Sequence, residues 1–420
     1  MGSSISIEDI RNPVYTEQQR AILAYEETLD VHLNREDILT EAMTRTGLDD
    51  FGDQDFLTRL DLLVQEWSSD TGLNNLGRLS LRNKLVQHAS SRLLIHKTLS
   101  DHPEIHDIQI EAPIIVAGLP RSGTTHLLNL MAADSRLRSL PLWEAYEPVP
   151  LPGETSAENS VDPRYQRCAD AWAGMQMATP HLAAMHPMHP DHIHEELELM
   201  GPDFASYNYE WLAPSPRWRD HYLATDQSPH YAYMKTVLKL LLWQQDADRP
   251  RRWVLKCPQH LEQLPVLTKV FPDATVAITH RDPISVLQST ITMLGYSQRM
   301  NRTQVEADAL LDYWLDRIEH LLRACVADRD ALPPEQSLDI PFSDFMADEL
   351  GTIAQIFARA DLPVDETATD ALQGYIDEHP RGRDGRVIYH LEKNFGVTRE
   401  ELYPRFEFYF QRFALQRETH

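Results

Sequence analysis

Cysteine is scarce in this chain: Cys168, Cys257 and Cys325 are the only three in 420 residues, odd in number and far apart. That spacing excludes a disulfide framework and a structural zinc module, and it suits a reducing, cytoplasmic setting. Long apolar runs are missing too, so no membrane-spanning segment is expected, and the start lacks a charged-then-apolar leader. Positive charge is in deficit, with 39 Lys and Arg against 64 Asp and Glu and a formal net charge of −25. This balance argues against general binding to nucleic acid or to an anionic membrane. No internal repeat and no low-complexity tract appears. What remains is a long globular chain with ample apolar residues for a large core.

The most informative segment runs from Ile114 to Thr125. Ile114, Ile115, Val116 and Ala117, bounded by Pro113 and Gly118, predict a buried strand. A loop bracketed by Gly118 and Gly123 follows, and Thr124 and Thr125 begin a helix that Leu127, Leu128, Leu130 and Met131 continue. Strand, glycine loop and helix N-terminus make an anion site, because orphan amide hydrogens point at the ligand and the helix dipole favours negative charge. The glycine spacing is that of a P-loop, yet Thr124 stands where a nucleoside-triphosphate loop carries lysine. Arg121, inside the loop, supplies the fixed positive charge instead.

Two further segments fit the same sheet. Ala274 to His280 is an alternating, β-branched run that predicts a strand. Asp282 then Pro283 reads as an N-cap followed by a first-turn proline, so Arg281 lies at the strand's carboxyl end and Ser289 about two turns into the next helix. Trp253 to Lys256 is a short buried strand ending in lysine. From Ile108 onward strands alternate with helices, with Leu338 to Ile340 a further strand, Phe345 to Ala360 the helix after it, and Val305 to Arg323 a long amphipathic helix.

Pro120-Arg121-Ser122-Gly123-Thr124-Thr125 resembles the 5′-phosphosulfate loop of the sulfotransferases, which use 3′-phosphoadenosine 5′-phosphosulfate (PAPS), and resembles most the bacterial and tyrosylprotein-type branches. The resemblance extends over about residues 108–410. It implies a P-loop-type three-layer α/β/α fold with a central parallel sheet, PAPS as the donor and its bisphosphate PAP as product. In the family, residues placed like Arg281 and Ser289 bind the 3′-phosphate, and a lysine placed like Lys256 approaches the oxygen bridging sulfur and the 5′-phosphate. Arg381-Gly382-Arg383 resembles the family's late basic-glycine loop, with either arginine the contact to the 3′-phosphate. The amides of Ser122, Gly123, Thr124, Thr125 and His126, with the two threonine hydroxyls, are then expected to hold the phosphosulfate. Arg121 and Lys256 are expected to stabilise charge on the leaving phosphate. The transferred sulfuryl group carries less charge than a γ-phosphoryl group, so no magnesium is demanded. A P-loop kinase or NTPase and a non-catalytic nucleotide-binding protein are the alternatives.

Sulfuryl transfer to a hydroxyl needs a group to take the proton. Glu144, in Pro141-Leu142-Trp143-Glu144, follows the phosphosulfate loop as the catalytic glutamate does in tyrosylprotein and heparan sulfotransferases. A glutamate organising the loop or pairing with Arg121 is the other reading of the same residue. His260 is second choice, by analogy with the histidine near the strand-end lysine of cytosolic sulfotransferases. Glu195 and Glu196 are third.

Residues 1–105 read as a helical extension without chemical motifs, with helices over Glu17 to Leu29, Glu36 to Thr46, Phe56 to Trp67 and Leu79 to Lys97. Residues 106–420 read as the catalytic domain. Within it, 140–235 forms an insertion crowded with aromatic and methionine residues, among them Tyr146, Met175, Met188, Phe204, Trp211 and Trp218. The crowding suggests a small, partly apolar acceptor alcohol or phenol. His181, His186, His189, His192 and His194 invite a metal reading, but His194-Glu195-Glu196 is not the HExxH pattern and Pro187 and Pro190 break any helix aligning ligands. A lid or pocket wall, with no metal, is therefore expected.

Overall fold

The computed structural model describes residues 4–154, 161–245, 249–380 and 385–418. Its strands are β1 (Ser4–Ser6), β2 (Ile114–Gly118), β3 (Leu137–Arg138), β4 (Arg252–Lys256), β5 (Thr275–His280), β6 (Ser337–Pro341) and β7 (Arg386–Ile388). Five of them form one sheet in the order β3-β4-β2-β5-β6, every neighbouring pair parallel. The three strands expected to carry function are the adjacent central ones. Val116 lies opposite Lys256, and Gly118 lies opposite Thr279. The loops after β2, β4 and β5 therefore open on one edge, the carboxyl edge where ligands of such sheets collect.

Every residue of β2 and β5 is buried, as both faces of the sheet are covered. Alternation divides their side chains. Ile115, Ala117, Leu255 and Ile278 face the larger core, whereas Ile114, Val116, Val254 and Ala277 face a second one. That second core is closed by Leu127, Leu128 and Met131 of helix Thr124–Ala132 and by Ile353 and Phe357. A two-sided sheet between helices explains why both strands read as nearly continuous apolar runs.

The segment before β2 folds into helices α1 (Glu17–Glu26), α2 (Arg35–Thr46), α3 (Phe56–Ser69) and α4 (Asn75–Asp101). Local signals set their starts. Thr16 and Gln19 form a capping box, Asn34 accepts from the amide of Asp37, and Asn74 accepts from that of Gly77. The apolar faces of α2, α3 and α4 form a third core, in which Phe56, Leu60 and Trp67 pack with Phe204, Tyr209, Trp218 and Tyr222. Part of the aromatic crowding in the insertion thus serves this core. Short parallel pairing of β1 with β7 ties the start of the chain to residues near its end.

One element differs from expectation. In place of a single helix over Phe345 to Ala360 there are two, Phe342–Ala347 and Glu349–Arg359. Asp348 is extended, with φ −146°, and its side chain accepts from the amide of Gly351 as an N-cap. The apolar period runs through the break unchanged, so only the capping aspartate marks it.

Candidate active site

The loop after β2 is shaped by two left-handed residues, Arg121 at φ 65° and Gly123 at φ 86°. Alternating left-handed positions next to a helix N-terminus turn successive amides toward one concavity, an anion nest. Two glycines permit it. A Cβ on Gly118 would stand 2.0 Å from Thr279 Oγ1, and one on Gly123 would stand 2.9 Å from the Phe342 ring. Ser122 is buried, its hydroxyl donating to Leu119 O at 2.5 Å and lying 2.8 Å from Thr279 Oγ1. Its side chain thus fastens the loop to β5 and leaves the amide as its group for a ligand. The His126 ring turns toward Phe345 and Tyr375, with Nε2 3.4 Å from Glu349, so for this residue too the backbone is what remains.

Arg281 and Ser289 share this loop's surroundings. Arg281 Nη1 donates to Arg121 O at 2.7 Å, and Arg121 Nε donates to Ser289 Oγ at 3.0 Å. Ser289 in turn donates to the Tyr389 hydroxyl at 2.8 Å. The Arg281 guanidinium stacks 4.1 Å over Phe342, the ring that abuts Gly123. Its outward edge holds a carboxylate: Nε and Nη2 reach the two oxygens of Glu418 at 2.7 and 3.0 Å. Such a fork suits a phosphate equally well. Arg381 and Arg383 lie outside the described residues.

Lys256 ends β4 with its side chain almost fully buried, Nζ contacting a Glu195 carboxylate oxygen and lying 3.3 Å from Thr125 Oγ1. The four candidate bases separate here. Glu195 lines the cavity beside Arg121, Thr125 and Lys256. Glu144 does not: it pairs with Arg138 of β3, neither facing the cavity nor meeting Arg121. The reason is topological, since the turn after the loop's helix brings Arg138 into reach before the chain returns to the cavity. His260 is fully buried, its Nε2 2.6 Å from Glu196 and its Nδ1 2.9 Å from the Tyr231 hydroxyl, which removes it from direct contact with an acceptor. Glu196, also fully buried, accepts from the Lys256 amide at 2.9 Å. Glu196 and His260 thus hold the backbone from which Lys256 projects.

The cleft in front of these groups has a cavity volume of about 200 Å³. Its cationic end is formed by Arg121 and Lys256, and its apolar walls by Tyr146, Met175, Met188, Leu197, Trp211 and Met293. Lys84 of α4 also lines it, 3.9 Å above the Tyr146 ring and 3.5 Å from Glu198. Burial opposes ionisation of Glu198, but Lys84 and His88 outweigh it and hold the carboxyl down at about 2.

Lys84, Tyr389, Phe342 and Glu418 carried no motif in the sequence. His186, His192 and His194 come together, and two of them, His186 and His194, line the cleft. Burial pushes all three rings down, His192 to about 2; repulsion from neighbouring histidines and from Lys256 adds to it at His186 and His192, whereas at His194 Glu198 and Glu195 oppose it.

A model of the sulfotransferase family matches residues 113–366, more than half of the chain. The omega-hydroxy-beta-dihydromenaquinone-9 sulfotransferase Stf3 of Mycobacterium bovis is 23% identical over 288 residues, 64% of this chain and 68% of its own, and that of Mycobacterium tuberculosis matches equally. The crystal structure of sulfotransferase STF9 from Mycobacterium avium aligns with a TM-score of 0.81 at 26% identity, covering 93% of this chain and all 100% of the other. STF1 from Mycobacterium tuberculosis aligns at 0.76 with 28% identity, covering 89% and 98%. An anion nest without the triphosphate lysine, on a parallel sheet shared with these enzymes, leads to one assignment: the chain belongs to the sulfotransferase family and is an enzyme that moves a sulfuryl group to a hydroxyl.

Proposed function

We propose that the protein transfers the sulfuryl group of PAPS to the hydroxyl of an apolar alcohol or phenol, leaving PAP. The observation that carries this reading is the link between the two halves of a bisphosphate site. Arg121 belongs to the phosphosulfate loop, yet it donates to Ser289 at 3.0 Å and accepts from Arg281 at 2.7 Å. A donor with anions at both ends of its ribose fits that pairing, and a triphosphate does not need the second end. The fork of Arg281 around a carboxylate supports its fitness for the 3′-phosphate.

The amides of residues 122–126 and the Thr125 hydroxyl hold the 5′ end in this reading. When bound, the donor supplies an electrophilic sulfur. Glu195 takes the proton of the acceptor hydroxyl, because it is the carboxylate that both lines the cleft and touches Lys256. Lys256 and Arg121 neutralise the charge that develops on the phosphate, a preorganised electrostatic contribution made inside a partly apolar cleft. Glu196 and His260 act as positioning residues by fixing Lys256. Tyr146, Met188 and Trp211 suit an acceptor with a long apolar portion, in line with the menaquinone-derived acceptor named for the Stf3 relatives.

Two measurements test this. By equilibrium binding, PAP is expected to bind more tightly than ATP with magnesium; the reverse order overturns the donor assignment. Incubation with sulfur-labelled PAPS and a panel of long-chain alcohols and phenols is expected to yield a sulfated product by mass spectrometry. Turnover confined to small polar alcohols removes the apolar acceptor.

A further inference from the structure

Three histidines meet beside the cleft for a reason the local backbone makes plain. Residues 192–194 run extended and antiparallel to 140–142: the Leu142 amide donates to His192 O at 2.9 Å, and the His194 amide donates to Leu140 O at 2.7 Å. In an extended segment residues i and i+2 share a face. Ile193 therefore points into the second core, and His192 and His194 point together to the other side. His186 arrives from the end of the short helix Leu182–Met185, its amide bonded to Leu182 O at 2.7 Å. One nitrogen of each ring lies within 4.8 Å of the others. From this convergence we propose that His186, His192 and His194 bind one divalent transition-metal ion of the zinc class.

A second observation points to the same ligand. His194 is 6% exposed, and its Nδ1 is buried without a hydrogen-bond partner among the described residues. A buried imidazole nitrogen left unpaired is costly, and a metal ion satisfies it. The opposite edge of the ring, Nε2, lies 3.9 Å from Glu198 Oε1, an ion-pair distance rather than a hydrogen bond. Three neutral imidazoles select zinc, cobalt, nickel or copper over magnesium or calcium. A tetrahedral ion with bonds of about 2.0 Å places its ligands roughly 3.3 Å apart, so binding draws the three rings closer than the 4.8 Å within which their nitrogens lie. Because His186 and His194 also line the cleft, the remaining coordination position faces it. The ion would also fasten the strand end that continues into Glu195 and Glu196. The site stands on the histidine geometry alone, whatever the identity of the base.

The test uses the full chain, stripped with a strong chelator and titrated with zinc against a chromophoric competitor, and separately with cobalt. One equivalent of zinc is expected to bind, and the cobalt form is expected to show the visible ligand-field absorption of a four- or five-coordinate nitrogen site. His192→Ala and His194→Ala should each weaken zinc by ~10²-fold or more. His181→Ala, outside the cluster, should leave affinity unchanged. His192→Gln is the near-isosteric control for folding, monitored by near-UV circular dichroism. Folded wild-type protein that binds no stoichiometric zinc overturns the proposal. So does a folded His192→Gln variant that binds as tightly as wild type.

Discussion

At Gly118 a single methyl group has no room, since it would overlap Thr279 Oγ1 at 2.0 Å and crowd Thr124 Cγ2 at 2.8 Å. The contact is what brings the loop down onto β5, and Ser122 completes it through the same threonine hydroxyl. Other residue-level decisions concern the base. Glu195→Gln keeps the shape of the cleft but removes the proton acceptor, so single-turnover transfer is expected to fall by ~10² to 10⁴-fold while PAP binding persists. Glu144→Gln loses an ion pair with Arg138 and is expected to cost ~1 kcal/mol of stability with turnover of the same order as wild type. If rapid-quench rates instead collapse for Glu144→Gln and survive in Glu195→Gln, the roles are reversed.

At the scale of elements, the tail after the Arg399–Phe413 helix matters most. Its Glu418 occupies the Arg281 fork, its amide donates to Asp282 at 2.7 Å, and its carbonyl accepts from Arg399 at 3.1 Å. A donor whose 3′-phosphate takes Arg281 has to displace this carboxylate. Glu418→Gln weakens the competitor without altering the fork, and PAP affinity is expected to rise roughly fivefold, about 1 kcal/mol for a partly exposed pair. Isothermal titration of both forms decides it, and unchanged or weaker binding by Glu418→Gln would remove the competition. The strand-end segment at 192–194 has a comparable logic: pairing with 140–142 sets which side chains face the cleft.

Across the whole molecule, an acidic chain of net charge −25 places Arg121, Lys256 and Arg281 where the three central strands end. The N-terminal helices take part. α4 delivers Lys84 to the cleft, and α3 and α4 share a core with Phe204, Tyr209 and Trp218. Deleting residues 1–105 would remove the partners against which those rings pack in this core. The shortened chain is expected to lose cooperative melting by circular dichroism and to bind a hydrophobic dye. Cooperative melting at the wild-type temperature would show instead that residues 106–420 hold their own core.

The sheet strands, the anion loop, Arg281, Ser289 and Lys256 were legible because their signals are local: buried runs, glycine spacing, a cap followed by proline, and a lysine at a strand end. The family was legible from the same segments. The helix break at Asp348, the partner of Glu144 and the sealing of His260 were not, because each depends on a neighbour distant in sequence. The amino-acid order alone determined the strand ends and the glycine loop that carry Arg121, Lys256, Arg281 and Ser289, since backbone conformation there follows from glycine, proline and short apolar runs. Only the tertiary structure decided which carboxylate meets Lys256, which aromatics line the cleft and which histidines converge. Those outcomes depend on how helices and extended segments pack across the sheet, and no spacing along the chain records that.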